Sequence, residues 1–156
     1  YVNFKDMYKD AEYNNGPVGE GLDNAIWYVG GSYDFDGNVA VSGMYLKGDM
    51  SKDDKDVAGI GSDGWTAGLT YKGAEASEAG SWGLNATYYN EGAGVVVAHT
   101  MDGIYFDEGF KGYSVGANYA LAKNIVAGVT YYDLESKEAK GTPDAQTLWS
   151  QVVFSF

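Results

Sequence analysis

Seven stretches of the chain alternate between apolar and polar residues: Asn24–Asp34, Gly37–Lys47, Gly64–Lys72, Gly80–Tyr89, Lys111–Leu121, Asn124–Tyr132 and Gln146–Phe156. A period of two puts successive side chains on opposite faces of an extended strand. No useful length shows helical periodicity, and glycine is scattered through the runs at a density that a helix would not tolerate. An all-β chain with one greasy and one polar sheet face follows. No linker or domain boundary interrupts residues 1–156, so one domain, or part of one, is expected.

The connections between these runs differ in length. Asp34-Phe35-Asp36-Gly37 and Leu121-Ala122-Lys123-Asn124 are tight turns, and Gly73–Gly80 is somewhat longer. Long acidic connections, Gly48–Asp63, Asn90–Phe110 and Asp133–Ala145, alternate with them. Short turns at one end of a sheet and long loops at the other are the asymmetry of transmembrane β-barrels, whose short turns face the periplasm. Counted back from Phe156, each short turn falls on one side and each long loop on the other. Residues 1–23 then occupy an outer loop, with Tyr1–Tyr8 as the outer end of a preceding strand. Pro17 and Pro143 fall in outer loops, where a missing N–H breaks no ladder.

The greasy face carries aromatic residues near the strand ends. Tyr45, Trp65, Tyr71, Trp82, Tyr88, Tyr113, Tyr119, Tyr131 and Phe156 are the expected interfacial aromatics. In three strands a pair sits six residues apart (Trp65 with Tyr71, Trp82 with Tyr88, Tyr113 with Tyr119), or roughly 20 Å along a strand. Two aromatic girdles around an aliphatic band are what a bilayer favours. The opposite face is small and polar, and by strand parity Lys72, Asn85, Thr87, Asn118, Thr130 and Gln151 are the candidates for lining a pore. Leaving so many amides and hydroxyls unpaired in a dry core would cost about 1–3 kcal/mol each, whereas a water-filled lumen removes that cost. A soluble sandwich with the apolar face inside explains the alternation, but not the girdles or the turn asymmetry.

Composition narrows the function classes. The chain has no Cys, which excludes a disulfide framework and thiolate metal sites. Ten Lys, no Arg and a net charge of −12 argue against nucleic acid. No run reaches the ~18 apolar residues of a transmembrane helix. Tyr1–Asp6 has neither the basic nor the apolar region of a leader peptide, so a mature, trimmed or partial chain is expected.

No catalytic, metal or cofactor site is expected. His99 is the single histidine and has no nucleophile placed beside it. Asp49–Asp56 invites a calcium reading but lacks the central Gly and closing Glu of an EF-hand loop. The acid excess does bear on permeation. Asp49, Asp53, Asp54, Asp56 and Asp63, then Asp102, Asp107 and Glu108, then Asp133, Glu135, Glu138 and Asp144 are all placed on the outer side. Carboxylates at a pore mouth enrich cations, so mild cation preference is expected. The longest loop, Asn90–Phe110, has an apolar centre at Val95-Val96-Val97-Ala98, and should fold over the mouth, enter the lumen or pack on a neighbouring subunit.

The expected fold is an antiparallel transmembrane β-barrel in an outer membrane. Seven or eight strands could close a small barrel filled by side chains. The residues of the polar face are too small for that, and suit a wall of a wider, porin-type barrel of which this is the C-terminal part. A last strand ending in Phe156 is where the barrel-assembly machinery would engage.

A resemblance adds to this. Gly64-Trp65-Thr66-Ala67-Gly68-Leu69-Thr70-Tyr71-Lys72-Gly73-Ala74, Gly80-Ser81-Trp82-Gly83-Leu84, Ala98–Gly103, Gly109–Tyr119, Leu121–Gly128 and the Leu148-Trp149…Phe154-Ser155-Phe156 end resemble the C-terminal part of the S-layer-homology-domain porins of diderm Firmicutes (Negativicutes). The resemblance implies a homotrimeric general-diffusion porin, tethered to cell-wall polymer by an N-terminal region that these residues do not include. The alternative function is a barrel anchor for a structural or adhesive surface protein, without significant conductance.

Overall fold

The computed structural model describes residues 2–7, 22–50, 61–96, 109–137 and 144–156, the side chains of 2–7, 22–23 and 50 excepted. They form one antiparallel sheet of eight strands whose spatial order is their order in the chain. The strands are β1 (Val2–Met7), β2 (Leu22–Asp34), β3 (Val39–Met50), β4 (Asp63–Lys72), β5 (Trp82–Glu91), β6 (Phe110–Ala122), β7 (Ile125–Ser136) and β8 (Ala145–Phe154). The seven expected strands are all present, and the preceding strand expected within Tyr1–Tyr8 is β1, paired with β2. Among the described residues no pairing joins β8 to β1, so the sheet is open.

The turns begin where side chains supply hydrogen bonds that compete with the ladder. After β2, the Asp34 carboxylate accepts from the N–H groups of Asp36 and Gly37, and that of Asp36 accepts from Asn38 and Val39. β3 therefore starts at Val39, two residues later than alternation predicts. Between β4 and β5, Ser81 Oγ donates to the Glu78 carbonyl at 2.7 Å and accepts from the Glu75 N–H at 2.7 Å. That delays β5 to Trp82. The same turn docks on the neighbouring hairpin, with Gly80 N–H donating to the Ala120 carbonyl and Asn124 N–H to that of Ala76.

The strands also run further toward the loops than alternation predicts. β7 continues to Ser136, in register with Phe110. Asp133 and Glu135 therefore lie in a strand, not in a loop, and so do Asp49 in β3 and Asp63 in β4. Gly112 permits the close approach of β6 and β7 here. Its φ is +146°, and a Cβ would stand 2.2 Å from the Asp133 carbonyl oxygen, so only glycine fits.

No described element packs over the middle of the aromatic face. Trp27, Tyr45, Trp65, Leu69, Tyr71, Trp82, Leu84, Tyr88, Tyr113, Val115, Tyr119 and Val129 are all exposed. The two hydrophobic clusters are on the other face at the loop end, with Ile26, Leu46 and Val95 in one and Tyr89, Phe110, Tyr132 and Leu134 in the second, while Ala120 is buried singly at the turn end. A sheet with an exposed aromatic face and its hydrophobic clusters at the loop end is not a sandwich.

Candidate functional site: the two faces of the sheet

The exposed face is zoned along the strands. Near the loops runs a row of rings: Trp27 lies 6.0 Å from Tyr45, Trp65 stacks on Tyr88 at 5.3 Å, and Tyr88 pairs across the ladder with Tyr113. Near the turns Tyr33 meets Phe35 at 5.0 Å edge-on, Tyr71 packs on Trp82 at 5.6 Å, and Trp82 pairs with Tyr119. Between the rows lie Val29, Val41, Leu69, Leu84, Val115, Val129 and Val152. Beyond the loop-side row this face turns polar. Lys47 pairs in register with Asp63, Lys111 forms an ion pair with Glu135 at 3.0 Å, and Tyr113 donates to Asp133 at 3.3 Å.

The opposite face is built on glycine. Cross-strand register makes Gly68 the neighbour of Ser42 and Thr87, Gly116 that of Asn85 and Thr130, and Gly128 that of Asn118 and Gln151. A Cβ on Gly116 would meet Asn85 Oδ1 at 2.6 Å and Thr130 Oγ1 at 2.9 Å, and one on Gly128 would meet Asn118 Oδ1 at 2.6 Å. Each glycine thus leaves room for polar side chains of both neighbouring strands to lie across it. Five of the six expected lining residues, Asn85, Thr87, Asn118, Thr130 and Gln151, share this polar floor.

The sixth, Lys72, does not. Its φ of 55° interrupts the alternation at the end of β4. The ammonium is placed 5.0 Å from the Trp82 ring centre and 5.5 Å from that of Tyr71, on the aromatic face. Asn24 and Ser114, which parity also assigns to the water-lined face, are buried at its loop end.

At that end the polar face changes character. Gly92–Val96, the start of the longest loop, folds back over it through the short 3-10 turn Ala93–Val95. Gly92 N–H donates to the Asp63 carbonyl and Gly94 N–H to that of Gly61, and Asn24 Nδ2 donates to the Gly94 carbonyl at 2.6 Å. Val95 is fully buried with Ile26 and Leu46, while Val96 packs on the Tyr89, Phe110, Tyr132 and Leu134 cluster. Gly64 makes the crossing close, because a Cβ there would be 2.9 Å from Val95 Cγ2. The first residues of this loop thus pack on the polar face of the sheet itself. Trimming Val95 to Ala deletes two buried methyl groups and should weaken this closure by about 1–2 kcal/mol. Faster protease cleavage near Gly92 would report it, and an unchanged rate would contradict the packing.

Glu91 lies beneath this segment with none of its side chain exposed, and neither carboxylate oxygen has a hydrogen-bond partner. It stands three positions beyond Tyr88, on the loop side of the aromatic row. Burial pushes its carboxyl up to about 7. Alternation did not single it out, and a lone Glu after two tyrosines reads as a loop acid.

Among the described residues no group of acids or histidines is arranged to hold a metal. His99, Asp53, Asp54, Asp56, Asp102, Asp107, Glu108 and Glu138 lie outside the described residues. No protein-family model matches the chain, and no curated protein matches it in sequence. What the molecule does must therefore be argued from its two faces.

Proposed function

We propose that this sheet is the wall of a transmembrane β-barrel in a bacterial outer membrane, with the aromatic face in lipid and the glycine-based face toward water. The observation that carries this reading is the zoning of the exposed face: charged residues, rings, aliphatic side chains, rings, turns. An exposed apolar surface this extensive is rare on a soluble monomer. Hydrocarbon bounded by two interfaces explains both the middle band and the rings that flank it. The glycine-based floor, lined with amides and hydroxyls and carrying no ion pair among the described residues, suits passive diffusion of small hydrophilic solutes. No step in this reading requires a catalyst or cofactor.

The open sheet is completed, on this reading, by further strands between the edges of β1 and β8, giving a porin-type barrel. The family resemblance supports a homotrimer, and a cell-wall tether only through a region outside these residues. Short turns would face the periplasm and long loops the exterior. Cation preference now rests on fewer acids than expected, since Glu135 is paired with Lys111 and Asp133 accepts from Tyr113.

Planar-bilayer recording of the purified protein tests the proposal. Large ohmic steps, with a reversal potential favouring cations at low salt, are the expected result. Silence in the bilayer by protein that is demonstrably inserted would favour the second reading, a barrel anchor for a surface protein. The observation favouring that reading is the Gly92–Val96 segment, which covers the loop end of the floor.

A further inference from the structure

We propose that the aromatic face carries, at its turn end, a binding site for one anionic glycerophospholipid, with Lys72 meeting the headgroup and the groove beside Trp82 taking an acyl chain. The groove has a volume of about 320 Å³ and is lined chiefly by Trp82, Leu84, Ala117, Tyr119, Ala127 and Val129, small for a ligand site but within the usual ~300–1,000 Å³ range. Ala117 and Ala127 make its floor, and Trp82 and Tyr119 close its turn end. Nothing in the described structure occupies it.

Charge decides the occupant. Lys72 leaves the polar face through its left-handed backbone and brings a cation to the edge of an apolar surface. There its ammonium has two aromatic faces and no described carboxylate in ion-pair contact. A lysine paired within the protein would have that charge neutralised, whereas this one keeps it available. Glu75 and Glu78, in the turn that follows, have exposed side chains, and the bonds to Ser81 engage only their main chain. In a chain of net charge −12, a lysine with an aromatic platform and an adjoining greasy trough selects an anion with a tail. A phospholipid phosphate at the interface, its chain running toward Val129, satisfies both parts. Basic residues at a membrane surface recognise anionic headgroups in this way.

The site rests on the lipid-facing reading of this face, so the experiment must separate the two. The full chain is reconstituted into phosphatidylcholine vesicles doped with brominated phosphatidylcholine or brominated phosphatidylglycerol, and tryptophan quenching is compared. Quenching by both lipids reports insertion. The site predicts an excess of quenching by phosphatidylglycerol, equivalent to about fivefold preference for one lysine, lost in K72Q, kept in K72R and absent in W82F. Equal quenching by the two lipids in the wild type, or an unchanged preference in K72Q, would overturn the site while leaving the membrane reading in place. Absence of quenching by either lipid would overturn both. A native-like far-UV spectrum of K72Q and W82F confirms that the comparison is between folded proteins.

Discussion

V115R should destabilise the bilayer-inserted protein by about 2–4 kcal/mol, while T130R should change its stability by less than about 1 kcal/mol. The two positions lie on adjacent strands near mid-height, Val115 paired with Tyr131 and Thr130 with Gly116. Val115 is 45% exposed, on the face between the two aromatic rows. In hydrocarbon a guanidinium there has no partner and no water. On the glycine floor the same group is hydrated and merely narrows the passage, so T130R should lower conductance without unfolding the protein. In a water-soluble protein the ranking disappears, because both sites are open to solvent. Denaturant titration of folded protein in vesicles measures the difference. Equal effects, or the reverse order, would remove the lipid assignment and with it the pore.

Raising the pH from about 4 to about 8 should weaken the fold through Glu91, and E91Q should abolish that part of the dependence. In the unfolded chain this carboxyl ionises near its ordinary value of 4.5, whereas in the folded protein burial holds it protonated until about 7. Between those values the folded state binds more protons than the unfolded one, so stability falls as pH rises. The favourable contribution is complete below pH 4.5 and lost above about 7. A shift of that size corresponds to about 3 kcal/mol. The chain has 22 acidic residues, so only the difference between wild type and E91Q isolates the effect. Guanidinium midpoints in micelles from pH 4 to 9 supply it, and parallel curves for the two proteins would show that the buried carboxyl does not titrate this way. The same opening should release Gly92–Val96 from the sheet, since that segment is what shields Glu91.

Alternation was enough to locate seven strands and to sort Trp65, Leu69, Tyr71, Trp82, Leu84 and Tyr88 onto one face, because each repeats the same contrast over a full strand. It failed where local backbone or a covering segment overrides parity. Lys72 has even parity with Thr70, yet a positive φ at the last residue of β4 sends it to the aromatic side. Asp133 and Glu135 look like loop acids because polar residues usually end a strand. Here they continue the ladder because β6 runs on beside both, and β8 beside Asp133. The covered loop end did leave a trace that alternation alone did not use. Tyr88-Tyr89 and Tyr131-Tyr132 put rings on both faces at once, which marks the height where the second face also becomes apolar. The apolar run from Val95 supplies what covers it. Glu91 has no comparable signal, since its burial depends on residues that fold back after it.

Among the described residues, each strand pairs only with the strands that precede and follow it in the chain. The sheet is therefore modular: its width can change by whole hairpins, and each such step preserves which residues share a face. A single added strand would turn every later strand end for end, carrying short connections to the side that long ones occupy. Sheets of different width are reachable from this one blueprint in steps of two, with the remaining registers undisturbed.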